Sequence, residues 1–158
     1  MLYRIRVILD SKEDVIRDFE ISDNNTFEEL HLAIINCFEF DGKEMASFYI
    51  SDEEWKQGQE IVLDNFFEGN NELLMKETKL NSIVNENQKK FIYIYDFLKL
   101  WTFFVEIFEI KKQKKNTIYP KYIFSNGTIP INAPEKIFVA DKNDKDFSVD
   151  EFGYDSYY

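Results

Sequence analysis

The first part of the chain alternates between apolar and polar positions with a period of two residues. Residues 2–9 and 15–21 both show this alternation, and the polar residues 11–14 separate them. Successive side chains of a β-strand point to opposite faces of a sheet, so the pattern is typical of half-buried strands. The sequence therefore predicts a β-hairpin over residues 1–21.

The next segment has helical spacing and a recognisable start. Thr26 is a favourable N-cap, and Glu29 stands three residues later, which is the spacing of a capping box. The pair Asp41-Gly42 suits a positive φ, so we expect the helix to end there. Apolar side chains recur three or four residues apart and form one stripe, which consists of Phe27, Leu30, Ile34, Cys37 and Phe38.

Signals for shorter elements follow the helix. Residues 45–51 and 60–63 are predicted strands, joined by a turn that closes at Gly58. Residues 65–71 have the composition of a loop, and residues 73–83 are predicted to hold a short helix.

The strongest strand signals lie in two aromatic segments, residues 90–97 and 101–110. The residues between them have the length of a hairpin loop. Both segments are apolar on nearly both faces, which indicates the centre of a sheet that is covered on each side. We therefore predict an α+β fold, in which a mixed or antiparallel sheet has the helix packed across one face, a roll whose N-terminal half is β-grasp-like.

Composition and charge refine this picture. The 158 residues suit one domain, and 16 Phe, 9 Tyr and 2 Trp supply enough apolar area for a stable core and favour strands over helices. The net charge of −11 disfavours binding to nucleic acid or to an anionic membrane. The same charge favours a protein partner with basic groups, so the expected partner is a protein.

The last part of the chain has a different composition. From Ala133 onward, seven acidic residues stand against three lysines, with aromatic residues spaced among them. Such a segment is too polar to form a core alone, although its aromatic side chains could dock on one. We therefore predict a domain over residues 1–125 and an acidic, poorly ordered tail over residues 126–158.

Cysteine usage and the absence of common motifs narrow the class of protein. Cys37 is the only cysteine, which excludes an internal disulfide and suits a reducing compartment. The first ten residues lack the features of a signal peptide, and no segment approaches the roughly 20 apolar residues that span a bilayer. No phosphate-binding loop, dinucleotide fingerprint or paired-cysteine motif occurs, so we predict a cytoplasmic protein with no cofactor, metal or membrane contact.

Two motifs in this order resemble the plasmid pRiA4b ORF-3-like family. One is TFEELHLAI at residues 26–34, which resembles the family's helix. The other is FIYIYDF at residues 91–97 followed by Trp101, which is similar to the family's Tyr-x-Tyr-Asp-Phe-Gly-Asp-x-Trp signature. Tyr119-Pro120 fits the point where the family's C-terminal segment begins. The resemblance covers residues 1–125 and implies a compact α+β roll.

The chain departs from the family pattern at several polar positions. Leu98-Lys99 replaces Gly-Asp, Phe103 replaces a His, and Glu44-Met45 replaces a His-Leu pair, so only His31 remains of the recurring histidines. If those side chains form a metal or catalytic site in relatives, this chain has lost most of it. The resemblance implies no established activity, and the family's origin in plasmid and mobile-element reading frames hints at DNA transactions.

His31 and Cys37 carry the side chains that most often perform proton transfer or nucleophilic attack. Six residues along a helix correspond to about 240° of rotation, so the two do not share a face and cannot form a dyad there. A single histidine cannot make a typical zinc site. We therefore interpret His31 as structural, and Cys37, on the apolar stripe, as a small buried hydrophobic residue.

The leading functional hypothesis is a non-catalytic binding or adaptor module that uses an aromatic sheet surface. Asp96 is interpreted as a turn-forming residue, with a carboxylate in an aromatic pocket as the alternative. The acidic tail is a possible docking segment or pseudo-ligand for the same surface. Aromatic side chains dominate interface energetics, so the candidate binding residues are Tyr93, Tyr95, Asp96, Phe97, Trp101 and His31.

Two other functions stay open. An enzyme of unknown type would centre on Asp96 and His31, and it would need both side chains in one cleft. A nucleic-acid accessory protein would use the one basic cluster, for which a solvated loop and a contact with the acidic tail are the other interpretations. That cluster consists of Lys111, Lys112, Lys114 and Lys115.

Overall fold

The structure, a computed structural model, describes residues 1–64 and 73–135. The predicted loop at residues 65–71 and the tail from residue 136 onward lie outside the described residues. In chain order, the elements are β1 (Leu2–Leu9), β2 (Ile16–Ser22), α1 (Phe27–Cys37), β3 (Ala46–Ser51), β4 (Gln57–Val62), β5 (Leu73–Leu74), a 3-10 helix (Met75–Glu77), α2 (Leu80–Ile83), β6 (Lys90–Tyr95), β7 (Trp101–Lys111) and β8 (Lys121–Asn126).

The strands form one eight-stranded sheet with the order β5-β4-β3-β6-β7-β1-β2-β8. Neighbouring strands are antiparallel, except for the parallel pair β4 and β5. The aromatic hairpin of β6 and β7 pairs from Lys90 opposite Glu106 to Tyr95 opposite Trp101, and it lies at the centre of the sheet. A mixed sheet with one main helix confirms the predicted α+β fold.

The start of α1 is as predicted. Thr26 Oγ1 accepts a hydrogen bond from the backbone N–H of Glu29 at 3.2 Å, and Glu29 Oε1 accepts one from the backbone N–H of Thr26 at 2.9 Å. These two bonds are the capping box, and they satisfy two backbone donors that the first helical turn leaves free.

The end of α1 differs from the prediction. The helix ends at Cys37 rather than at Asp41-Gly42, because the chain adopts a positive φ of 60° already at Glu39. The backbone N–H of Phe40 then bonds to the carbonyl of Ile35, and the N–H of Glu39 bonds to that of Asn36. This is the Schellman pattern, which usually has glycine at the position that Glu39 occupies.

Replacing Thr26 with Ala is expected to lower the free energy of unfolding by about 1 kcal/mol, because one capping bond is lost and its N–H partner remains. Thr26→Ser keeps the hydroxyl and is the matched control, with an expected change within about 0.5 kcal/mol. Urea denaturation followed by circular dichroism measures both. Equal stabilities of the Ala and Ser variants would contradict the role of the cap.

Helix α1 packs on one face of the sheet, which we call the helix face. The ring of Phe27 lies 5.3 Å from the rings of both Phe48 and Phe91, and all three side chains are fully buried. In the described part of the chain this helix covers only one face, whereas the sequence predicted cover on each side. Side chains of β7 alternate between the two faces of the sheet. Phe103 faces the helix and contacts Phe38, whereas Phe104 faces away and contacts Trp55.

Two further segments differ from the prediction. The expected helix at residues 73–83 is a two-residue strand, a 3-10 turn and the four-residue α2, because Leu73 and Leu74 pair with β4. Gly58 does not close a turn but lies inside β4, where a Cβ would stand 2.5 Å from the Ile50 carbonyl oxygen. Close approach of two backbones therefore requires glycine at this position.

The end of the described chain packs against the domain. Gly127 follows β8 with a φ of 87°, and a Cβ there would lie 2.0 Å from the carbonyl oxygen of Asp14. Ile129 and Ala133 then pack on the hydrophobic core. The first residues of the predicted tail, which begins at residue 126, therefore contact the domain. The predicted domain boundary after residue 125 stays a prediction.

Candidate functional site

The aromatic residues predicted to line a binding surface are mostly buried. The exposed fractions of Tyr93, Tyr95 and Trp101 are 0%, 3% and 7%, whereas Phe97 is 44% exposed. The first three lie on the helix face, because β6 and β7 turn alternate side chains toward α1. The expectation of an exposed surface at these three positions therefore does not match their placement.

Tyr95 and Trp101 pack around Phe40, which follows the helix. The Phe40 ring stacks on Tyr95 with a centroid distance of 4.5 Å and lies 5.0 Å from Trp101. The Tyr95 hydroxyl donates to Asp41 Oδ1 at 3.0 Å and accepts from the Glu44 N–H at 3.3 Å. Burial beside this carboxylate raises the pKa of Tyr95. The cluster fastens the segment after α1 to the central hairpin.

His31 and Tyr93 form a buried pair between α1 and β6. His31 Nδ1 and the Tyr93 hydroxyl oxygen are 2.6 Å apart, and both side chains are at least 97% buried. Burial lowers the pKa of His31 to about 4 and raises the pKa of Tyr93. A neutral, enclosed imidazole matches the structural interpretation of His31.

Asp96 forms the turn between β6 and β7. Its Oδ1 accepts hydrogen bonds from the backbone N–H groups of Leu98 and Lys99 at 3.1 and 3.2 Å, and its own φ is 66°. These bonds confirm the turn-forming interpretation. Since His31 bonds to Tyr93 instead, the structure does not bring Asp96 and His31 together as hydrogen-bond partners. The enzyme that would centre on them stays a prediction.

The four lysines of the basic cluster occupy two environments. Lys111 ends β7 and forms a 2.6 Å ion pair with Glu20, which raises the pKa of the lysine. Lys112, Lys114 and Lys115 are exposed in the segment after the strand, as the solvated-loop interpretation expects. The nucleic-acid role stays a prediction, with one of its four cations already neutralised.

A cleft of about 720 Å³ lies beside α1, between the helix and strands β2 and β8. Leu32 and Tyr122, which line it, are 55% and 52% exposed, whereas Phe19 is buried. The cleft thus combines apolar and aromatic side chains with nearly as many polar and charged ones. Its lining consists of Arg17, Phe19, Glu29, Leu32, Ala33, Asn36, Cys37, Glu39, Pro120, Tyr122 and Ser125.

Arg17 is the buried cation of this cleft, with an exposed fraction of 7%. Its Nη1 donates to the carbonyls of Ile16 and Asn126 at 2.9 Å, and its Nη2 donates to that of Gly127 at 3.0 Å. The guanidinium carbon also lies 5.5 Å from the centre of the Phe38 ring. Arg17 therefore holds the end of β8 against β2.

Cys37 also lines the cleft, and its thiol is unreactive near neutral pH. Burial raises the pKa of its thiol to about 12, an effect that the nearby Arg17 charge only partly opposes. Because the thiolate is the reactive form, this cysteine is a poor nucleophile near neutral pH. The finding agrees with its interpretation as a small hydrophobic residue.

The opposite face of the sheet, which we call the open face, carries a separate charged cluster. Arg6 donates to both oxygens of the fully buried Asp18 at 2.9 Å, and Arg4 donates to Oδ2 at 3.2 Å. Both guanidinium groups lie within 4.9 Å of the centre of the Phe108 ring. These cations are already paired, unlike the one in the cleft.

Two classes of site are not found in the described residues. Residues 1–64 and 73–135 contain no group of three or more His, Cys, Asp or Glu side chains placed to hold a metal ion. Within the same ranges, no helix has the length and apolar character needed to cross a bilayer.

Sequence reasoning missed the cleft, although one signal was available. An apolar alternation begins at Val15, just before β2, and continues through the inward positions Phe19 and Ile21 of the strand, and Arg17 interrupts it. A cation at an inward-facing strand position indicates either a buried ion pair or a ligand contact. Tyr122 and Ser125 carried no comparable signal, because β8 joins the cleft only through its pairing with β2.

Comparisons with known proteins identify the fold and the family. MM3350, a protein of unknown function from Methanosarcina mazei Go1, has a crystal structure that matches with a TM-score of 0.70 and 21% identity, over 78% of this chain and 68% of that chain. No curated protein matches the chain. The sequence profile of the plasmid pRiA4b ORF-3-like proteins matches residues 1–136. The chain therefore belongs to the plasmid pRiA4b ORF-3-like family.

Proposed function

We propose that this protein is a non-catalytic binding module whose binding site is the cleft between α1, β2 and β8. The observation that carries the proposal is the cleft itself, with half-exposed Leu32 and Tyr122 above a buried Phe19. Binding sites are concave and combine apolar surface with placed polar groups, and this lining offers both, with six apolar or aromatic residues and five polar or charged ones.

Two titratable groups of α1 support binding rather than catalysis. His31 is enclosed and neutral near pH 7, since its pKa is about 4. The thiol of Cys37, with a pKa of about 12, stays protonated. General base and nucleophile chemistry need pKa values near the working pH, so neither group suits these roles.

A peptide segment of another protein is the ligand that best suits the site. Strand β8 is at the edge of the sheet, and in the described part of the chain it pairs only with β2. An extended peptide can add to such an edge while its side chains enter an adjacent groove, and Tyr122 and Ser125 of this strand line the cleft. The single cysteine supports a cytoplasmic location for this interaction.

Selection from a library of random displayed peptides tests the proposal. We expect enriched peptides to bind at least tenfold more weakly to Ala33→Trp, which fills the cleft, and to Tyr122→Ala, which removes a wall. Lys99→Trp places the same ring on the exposed hairpin turn and is the matched control, with unchanged affinity. The proposal is overturned if no peptide is enriched, or if the enriched peptides bind Ala33→Trp and Tyr122→Ala as tightly as they bind the wild type.

A further inference from the structure

We infer that Arg17 is a carboxylate-binding subsite of the cleft, so that the module recognises a ligand with a carboxylate beside an apolar or aromatic group. The inference rests on the proposed function, because it assigns ligand chemistry to the same cleft. It adds one requirement that general peptide binding does not make, namely a negative charge at a defined position.

The hydrogen bonds of Arg17 leave part of its guanidinium free. Three of its five N–H donors bond to the backbone carbonyls of Ile16, Asn126 and Gly127. The remaining donors, on Nε and Nη2, have no partner in the described part of the chain. These nitrogens are neighbours in the planar group, and such a pair is the fork that a carboxylate accepts with both oxygens.

The charge of Arg17 is also without a counter-ion among the described residues. No carboxylate there lies within 4.0 Å of it, although its side chain is 93% buried. A buried charge is costly unless it is paired, and carbonyl dipoles and the Phe38 ring compensate only in part. Asp18 provides the contrast on the open face, since two arginines converge on that one carboxylate.

The rest of the lining favours a carboxylate over a phosphate. Glu29 and Glu39 line the same cleft, so a second negative charge on the ligand would be repelled. Leu32, Ala33 and Tyr122 offer apolar surface beside the guanidinium. A singly charged acid with an adjacent aromatic ring therefore matches both parts of the cleft.

N-acetyl-phenylalanine and its neutral amide are matched probes, because they differ only in the carboxylate. We expect the acid to shift the Nε–H resonance of Arg17 saturably in NMR spectra of the full chain, and the amide to bind at least tenfold more weakly. Arg17→Lys is expected to lower the affinity for N-acetyl-phenylalanine at least tenfold, since an ammonium group lacks the paired N–H donors of a guanidinium. Arg6→Lys on the open face is the control and keeps the affinity.

Two sources can supply the carboxylate, another protein or the chain's own acidic segment at residues 136–158. A full-length variant in which the six Asp and Glu residues of that segment become Asn and Gln separates them. If the segment is the source, this variant shifts the Arg17 resonance without ligand and binds the acid more tightly. If the source is another chain, the variant behaves as the wild type.

The inference is overturned if the acid and the amide bind with equal affinity. It is also overturned if neither probe, up to its solubility limit, shifts the Arg17 Nε–H resonance and the neutralised variant of residues 136–158 leaves that resonance unchanged. The comparison of acid with amide uses the unaltered protein, so it decides the question even if Arg17→Lys does not fold. Peptide selection through the cleft can succeed while this test fails, which keeps the two proposals distinguishable.

Discussion

Replacing Phe103 with Ala is expected to lower the free energy of unfolding by about 3–5 kcal/mol. Phe103 is fully buried on the central strand β7, and its ring lies 4.6 Å from Phe38, 6.0 Å from Phe40 and 5.8 Å from Tyr93. Truncation removes contacts with both the helix end and the hairpin, and it leaves a cavity that the rigid sheet cannot close. A loss of this size is a large fraction of the stability of a typical domain.

Phe97→Ala is the matched control for this prediction, because it removes the same atoms from a side chain that is 44% exposed at the hairpin turn. We expect a change below about 1 kcal/mol there. Urea unfolding monitored by tryptophan fluorescence measures both variants. If Phe103→Ala does not fold, Phe103→Leu, with an expected loss of about 1.5 kcal/mol, gives a graded measurement. Equal losses at positions 97 and 103 would contradict the proposed core.

Acidification from pH 7.5 to pH 5 is expected to cost about 2 kcal/mol of stability through His31 alone. The sign follows from its pKa, which burial lowers from 6.5 to about 4 in the folded chain. The unfolded chain therefore takes up a proton as the pH falls below 6.5, while the folded chain stays neutral until about pH 4. Stability from this group is complete above pH 6.5 and is lost between pH 6.5 and pH 4.

His31→Gln removes the titration and keeps a polar side chain near the Tyr93 hydroxyl. We expect this variant to be less stable than the wild type at pH 7.5 but to lose about 2 kcal/mol less on going to pH 5. Urea unfolding at both pH values gives the comparison. The range above pH 5 separates His31 from carboxyl groups such as Glu29, whose pKa is lowered and whose contribution is lost below about pH 4.5. Parallel pH dependence in the two proteins would refute the assignment.

Local patterns in the sequence predicted much of the fold. The hairpin of β1 and β2, the capping box at Thr26 and the aromatic hairpin of β6 and β7 all appear as expected. Each of these signals depends on residues that are close in sequence, so a single chain reveals them. The end of α1 was missed because Glu39, rather than a glycine, takes the positive φ.

The candidate site could not be predicted in the same way. In β6, both Tyr93 and its neighbour Ile92 are apolar enough to face the helix, so the sequence did not show which of the two sets of side chains would pack against α1. The cleft also depends on the pairing of β8 with β2, which joins segments about one hundred residues apart. Side chains such as Tyr122 acquire their place only through that long-range contact.

The attachment of β8 has a consequence for the energetics of recognition. Gly127 lies so close to the backbone of Asp14 that no Cβ would fit, and Arg17 donates hydrogen bonds to the carbonyls of Asn126 and Gly127. One wall of the cleft is therefore locked before any ligand arrives. A preorganised wall spares the ligand the entropic cost of ordering it, so the affinity should depend on the fit of the incoming group. A bulkier residue at position 127 would displace the end of β8 from β2, so that a ligand would have to order this wall of the cleft as it binds.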